Sequence, residues 1–240
     1  MPEPFYSRSH KDLHLVHARN HEHVLAAGIH IESLAVHSAH YNDVCEVRAR
    51  VYRRNTFDAA DAVDAYSHLY CAYLHGRPVA SLRVTPATAG RLDCEDYFPE
   101  ALVVAFRSRI ASASRFCCLP DVDASLRVPR LLVEAAWIEA IRRHGSRLDI
   151  IDVHERAISY YQRFGYCLVQ DSFFTHPLWG TPSHVMVFPA HRDRATPIQH
   201  VFEHLNDGLA VEDLRPFVSL APDVRSRPAA SSQEAMRVSA

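Results

Sequence analysis

Arg83 and Arg115 fall in segments that read as half-buried strands, where a guanidinium without an anionic partner would be costly. Asp61 and Asp64, just upstream, could supply that partner inside the fold, or Arg83 could clasp the carboxylate of a bound acceptor through a bidentate fork. The same aspartates could instead meet an acceptor's ammonium group. Arg127 and Arg130 stand at the start of a helical segment, where the helix dipole disfavours cations. Either an external anion such as a single phosphate meets them, or they point into water. Tyr161 lies four residues before Gly165 on a short amphipathic segment, as a core aromatic or as a phenol open to acid–base chemistry. His154 ends the preceding apolar strand, placed to cap the next segment or to take up a proton.

Other chemistries find less support. Seventeen histidines form no HExxH and no paired Cys/His set, and His21-x-His23 alone is a weak pair, so no metal is expected. Six cysteines, Cys45, Cys71, Cys94, Cys117, Cys118 and Cys167, have no CxxC spacing and are read as free, buried thiols. With 26 basic against 28 acidic side chains, the net charge of -2 offers no field to hold nucleic acid or an anionic membrane. The stretch from Ser172 to Ala190 lacks charge but is broken by Pro177, Gly180, Pro182 and Pro189, so no transmembrane segment is expected. The first twenty residues lack the apolar core of a secretory signal, which points to the cytoplasm.

These side chains need elements to hold them. A strand is expected over Ile29 to Val36, then a helix from Ala39 to about Arg54 with Val44, Val47 and Val51 inside and Arg48, Arg50, Arg53 and Arg54 largely outside. Asn55 to Asp64 reads as a loop. His68 to Leu74, a turn at His75-Gly76-Arg77-Pro78, and Val79 to Val84 form a hairpin. A short helix near Ala101 to Phe106 leads to a strand over Ile110 to Leu119, and a helix over Pro129 to Arg143 is closed by Gly145. Leu148 to Val153 is apolar apart from its aspartates, as a strand covered on both faces would be. A helix from Arg156 to Phe164 stops at Gly165, and strands at Tyr166 to Gln170 and His184 to Phe188 complete an α/β fold with a mixed sheet. Residues 1–27 read as a His-rich arm, 28–190 as the main domain, and 191–220 as a helical extension with a helix over Pro197 to Asn206 capped by Thr196. Residues 221–240 read as a disordered tail.

The segment from His154 to Tyr166, carrying Ala157, Tyr161, Gly165 and Tyr166, resembles the AxxxYxxxGF signature of the Gcn5-related acyltransferase superfamily. That resemblance implies a mixed central sheet with splayed strands flanked by helices, and a tyrosine, here Tyr161, that protonates the departing thiolate. The superfamily's glycine-rich phosphate turn would fall at Asp123 to Arg130, which has no glycine. Ala113-Ser-Arg-Phe116, Ser81-Leu-Arg-Val84 and Asp61-Ala-Val-Asp64, in this arrangement, resemble the autoinducer (acyl-homoserine lactone) synthases and the related N-acyl amino acid synthases. The likeness runs over roughly Ile29 to Phe188. Those families accept a long acyl chain from acyl carrier protein, whose phosphopantetheine ends in one phosphodiester, which would account for the missing turn.

The resemblance therefore implies an N-acyltransferase that moves a long acyl group from acyl carrier protein to the α-amine of an amino acid. Acyl-phosphopantetheine would be a co-substrate, a coenzyme A thioester the alternative donor, and no cofactor would be tightly bound. Arg83, Ser114, Arg115, Phe116, Cys117, Trp137 and Phe164 would line the substrate site, with backbone amides near Cys117 holding the oxyanion, and Arg127 and Arg130 would meet the phosphate. The families usually carry a glutamate where this chain has Ser112, so the amine's proton would go to His154, to a water chain ending at Ser112, or to a carboxylate such as Glu134. A lactone synthase using S-adenosylmethionine, an acetyl-CoA-dependent acetyltransferase and a catalytically silent acyl-binding module are the competing readings.

Overall fold

The computed structural model describes residues 28–52, 59–93, 95–177, 180–192, 196, 198–203 and 205–219. The expected N-terminal arm and the tail beyond Leu220 lie outside the described residues, as does Cys94. Among the described residues nine strands form one sheet: β1 Ile29–Leu34, β2 His68–Leu74, β3 Arg77–Pro86, β4 Ile110–Cys118, β5 Leu148–His154, β6 Cys167–Val169, β7 Phe174–Thr175, β8 Pro182–Pro189 and β9 Val218–Ser219. Their order is β1-β2-β3-β4-β5-β8-β6-β9, with the short β7 also on β8. Every pairing is antiparallel except β4 with β5.

The helices are α1 Tyr41–Tyr52, α2 Glu100–Phe106, α3 Val128–His144 and α4 Ile158–Arg163. Alternation along the strands sends side chains to two layers. On one face Ile110, Leu148, Ile150, Val185 and Val187 pack with Leu102 and Val103 of α2 and with Leu209, Leu214 and Val218 near the end of the described chain. On the other, Tyr70, Ala72, Leu82, Val84 and Ala111 lie under Val128, Leu132, Ala136 and Ala140 of α3. Beside them Ile151, Val153 and Met186 pack with Tyr161 and Tyr166.

One irregularity shapes the middle of the sheet. Ser81 faces Cys117 but Arg83 faces Ser114, so Leu82 alone opposes two residues of β4, and Arg115 takes a φ of +52° to accommodate the extra one. Such a bulge bends a strand and sharpens its twist. Accordingly β4 and β5 pair only at Ile110 with Leu148 and Ala111 with Asp149, and then part. The next free amide of β4, Ala113 N–H, donates to Asp149 Oδ1 at 2.8 Å, so a side chain takes over where the ladder stops.

Several expectations are corrected. Arg48 does not face solvent: it is wholly buried, drawn inward by Asp64. The expected loop ends in a 3-10 turn over Ala62–Tyr66, capped by Asp61, whose Oδ1 accepts Val63 N–H at 2.9 Å. The helix expected from Arg156 is a 3-10 turn over Glu155–Ala157 followed by the short α4. The helix expected over Pro197 to Asn206 reduces to one 3-10 turn, Gln199–Val201, because Val201, Phe202 and Leu205 are pulled onto Trp137 and Phe188. The Thr196 hydroxyl caps nothing there. Among the described residues no helix is long and apolar enough to cross a membrane.

Candidate active site

The split between β4 and β5 opens into a cleft of about 580 Å³. Its walls come from both faces of the sheet. Ala113 and Ile151 belong to the face under α3 and α4, while Ser114 and Asp152 belong to the opposite one. On the first side the cleft meets Arg127, Arg130, Tyr161, Phe164, Tyr166 and Ile198; on the second it meets Asp93, Tyr97, Arg115 and His176. The opening therefore passes through the sheet rather than lying on it.

Behind the second wall lies a ring of charges. Arg48 grips Asp64 at 2.6 and 3.2 Å, and Arg83 Nη1 reaches Asp64 Oδ1 at 3.1 Å and Asp61 Oδ2 at 3.0 Å. Arg83 also binds Asp93, and its Nε donates to Ser114 Oγ at 3.0 Å. Arg115 Nη2 meets Asp61 Oδ2 at 2.5 Å, and Tyr41 Oη donates to Asp64 Oδ2 at 2.9 Å. Burial opposes ionisation of Asp61, but the Val63 amide and the Arg83 and Arg115 guanidiniums outweigh it and hold its carboxyl down to about 2. Three arginines and three aspartates thus compensate one another, as buried charges must.

On the other face Tyr161 sits at the split. Burial, followed by the nearby Tyr160, Asp149 and Asp152, pushes its phenol up to about 12, so it holds its proton at neutral pH. Its hydroxyl makes no hydrogen bond among the described residues. Next to it Tyr166 donates to Asp149 Oδ2, and the two tyrosine rings meet edge to face at 5.4 Å. Asp149 is sealed in the apex of the split; desolvation raises its carboxyl to about 7 against the hydrogen bonds from Tyr166, Ala113 and Ile150.

At the mouth, Arg127 turns the chain into α3 with a φ of +53°, doing with an arginine what a glycine does more readily. It makes no ion pair among the described residues. Arg130 Nε bonds Glu134 Oε1 at 2.7 Å, and His200 Nε2 lies 3.2 Å from Glu134 Oε2. Glu134 is thereby occupied as a structural carboxylate.

Of the residues singled out from sequence, Tyr161, Ser114, Arg115, Phe116, Phe164, Arg127 and Arg130 line the cleft. Others sit elsewhere. Arg83 is wholly buried among Asp61, Asp64 and Asp93, so its fork is spent on the fold and does not reach an acceptor. Trp137 packs on Phe188 and Phe202 behind the cleft wall and does not line the cleft. Cys117 is buried against the Ser81 hydroxyl at 3.1 Å, and burial raises its thiol, so it stays protonated. Ser112 is buried, and among the described residues its hydroxyl has no hydrogen-bond partner. His154 Nδ1 accepts the Arg156 amide at 3.0 Å, the capping geometry, and its ring is not part of the cleft wall. Asp93, Asp149, Asp152 and His176 escaped the sequence reading. The signal for two of them was present, since Asp149 and Asp152 interrupt an otherwise apolar strand, where a carboxylate needs a reason.

A family model described as "FeeM: N-acyl amino acid synthase FeeM" matches residues 43–188. Comparison with curated proteins returns no match. Among solved structures, FeeM, an N-acyl amino acid synthase from uncultured soil microbes, superposes with a TM-score of 0.52 at 11% identity, over 67% of this chain and 91% of that one. BjaI, a CoA-dependent acyl-homoserine lactone synthase, gives 0.53 at 16% identity over 73% and 88%. An acyl-CoA N-acyltransferase from Pseudomonas aeruginosa gives 0.50 at 14% identity over 67% and 99%. At these identities the superpositions establish the acyltransferase fold with its open, splayed sheet. The family match spans more than half of the sequence, and on it this chain belongs to the FeeM family of N-acyl amino acid synthases, acyltransferase enzymes.

Proposed function

We propose that this N-acyltransferase moves a long-chain acyl group from acyl carrier protein to the α-amine of an amino acid, by direct attack and without a covalent enzyme intermediate. The observation that carries the reading is the cleft through the sheet: a thioester entering from the α3 and α4 face and an amine entering from the other can meet only in the split. Tyr161, protonated and at that meeting point, is suited to give its proton to the departing thiolate. Backbone amides along the bulge near Cys117 are suited to hold the oxyanion, since the ladder with β5 no longer uses that stretch.

The donor assignment rests on the turn into α3. It has no glycine, and Pro129 in the first helical turn lacks an amide, so fewer bare N–H groups are offered than a pyrophosphate uses. Arg127 and Arg130 beside it suit a single phosphodiester. Phe116 and Phe164 give the acyl chain an apolar wall worth about 0.8 kcal/mol per buried methylene. The reading is tested by supplying acyl carrier protein thioesters and, in parallel, coenzyme A thioesters with a mixture of amino acids, followed by mass spectrometry. Amide formed faster from the carrier thioester supports it, and faster turnover of the coenzyme A thioester reassigns the donor. The likeness to BjaI keeps a lactone product as the second reading; addition of S-adenosylmethionine and the mass of the product separate the two.

A further inference from the structure

An amine that adds to a thioester must lose a proton on the face from which it arrives, and we propose that Asp152, held by His176, is the group that takes it. This assignment rests on the acyl-transfer reading above. Among the described residues that wall the cleft, the carboxylates are Asp93 and Asp152. Asp93 is bound to the guanidinium of Arg83 and neutralised there. Asp152 answers instead to an imidazole: His176 Nε2 lies 3.3 Å from its Oδ2.

The placement follows from strand alternation. Ile110, Leu148 and Ile150 share one apolar cluster, so Asp152, two residues beyond Ile150, projects to the same face as Ser112 and Ser114 on the strand across the split. Tyr161 and Tyr166 belong to the opposite face, with Ile151 and Val153. The proton donor and the proton acceptor thus stand on either side of the gap, one per substrate. β7 and β8 fix His176: Phe174 pairs with Ser183 and Thr175 with Pro182, the His176 amide donates to Thr181 O at 2.9 Å, and the ring of Phe174 stacks on Tyr97.

Other bases are spent or badly placed. Ser112 is a hydroxyl, Arg156 N–H occupies the His154 ring, Arg130 and His200 hold Glu134, and Asp149 is closed off behind Tyr166. In the step itself the amine nitrogen bonds the carbonyl carbon and the C–S bond breaks. The thiolate takes the phenolic proton of Tyr161, the Asp152–His176 pair takes the N–H proton, and solvent carries that proton back to the phenolate. Amide and free thiol are the net products.

Asp152→Asn should lower kcat with an amino acid acceptor about 100-fold while the KM for the acyl thioester stays unchanged. With hydroxylamine, a weakly basic nucleophile whose nitrogen, once bonded to the carbonyl carbon, sheds its proton readily to water, the loss should shrink below about tenfold. His176→Gln should give a smaller loss with the same dependence on the nucleophile, and it serves as the second variant should Asp152→Asn fail to fold. Turnover of Asp152→Asn within threefold of the parent, or an equal loss with both nucleophiles, overturns the assignment while leaving acyl transfer intact. Absence of any amide from the parent enzyme with either class of thioester overturns acyl transfer itself, and this assignment with it.

Discussion

In the proposed transfer Tyr161 is suited to act as the donor because it does not ionise cheaply: a phenol pushed up to about 12 is fully protonated near pH 7, and the departing thiolate of that mechanism needs one proton. Replacing Tyr161 with Phe keeps the ring against Tyr166 and Ile151, so the expected result is a drop in kcat of about 100-fold or more with an unchanged melting temperature. Amide formation followed by mass spectrometry and a calorimetric scan measure the two. Asp149 makes a different prediction, about stability. The folded protein holds this proton up to about pH 7, whereas an ordinary aspartate releases it near 3.8, so folding takes up a proton between those values and stability falls as pH rises through that window. Asp149→Asn, which imitates the neutral acid toward both Ala113 and Tyr166, should match the parent near pH 4 and exceed it above pH 7 by roughly 3 to 5 kcal/mol. Urea unfolding at several pH values checks the sign. The resemblance to the AxxxYxxxGF signature singles out Tyr161, but nothing local tells that Tyr166 and Asp149 find each other, because that bond joins β5 to the residue just before β6, and these two strands are not neighbours in the sheet.

Among elements, the bulge in β4 and the charge ring under it act together. The extra residue at Arg115 turns β4 away from β5, and the ring of Arg48, Arg83, Asp61, Asp64 and Asp93 holds α1, the Ala62–Tyr66 turn and β3 together behind the opened strand. Arg48→Met should cost about 3 to 5 kcal/mol because it leaves three aspartates of the ring against two arginines, and adding Asp64→Asn should recover much of that loss. Chemical denaturation of the two single variants and the double variant measures the coupling. The hairpin over β2 and β3, the helix α3 and the strand β5 were legible from period and turn chemistry, since Gly76 and Gly145 both adopt the positive φ their positions predict. Arg48 departs from the expected solvated face because a buried aspartate from another element pulls this one arginine of the helix inward, which the helix's own residues do not reveal. The bulge was invisible because it depends on register between strands, which residue order alone does not specify.

Across the whole molecule, the segment after β8 is part of the core and part of the site. Phe202 meets Trp137 edge to face and lies tilted against Phe188, with ring centroids 5.6 and 5.4 Å away, and Ile198 of the same segment reaches the cleft. β9 then pairs with β6 and covers its open edge. Phe202→Ala should cost about 3 to 5 kcal/mol, read as a lowered melting temperature. Sequence periodicity marked Val201, Phe202 and Leu205 as an apolar face but assigned them a helix; tertiary packing keeps the face and discards the helix. The passage through the sheet has one further consequence, for inhibitor chemistry. A tethered compound, with an acyl-pantetheine mimic joined to an amine-bearing head by a linker thin enough to thread the gap, would occupy both mouths at once. Its avidity would exceed that of either half by up to about 100- to 10,000-fold, and it could leave only by sliding back out through the passage.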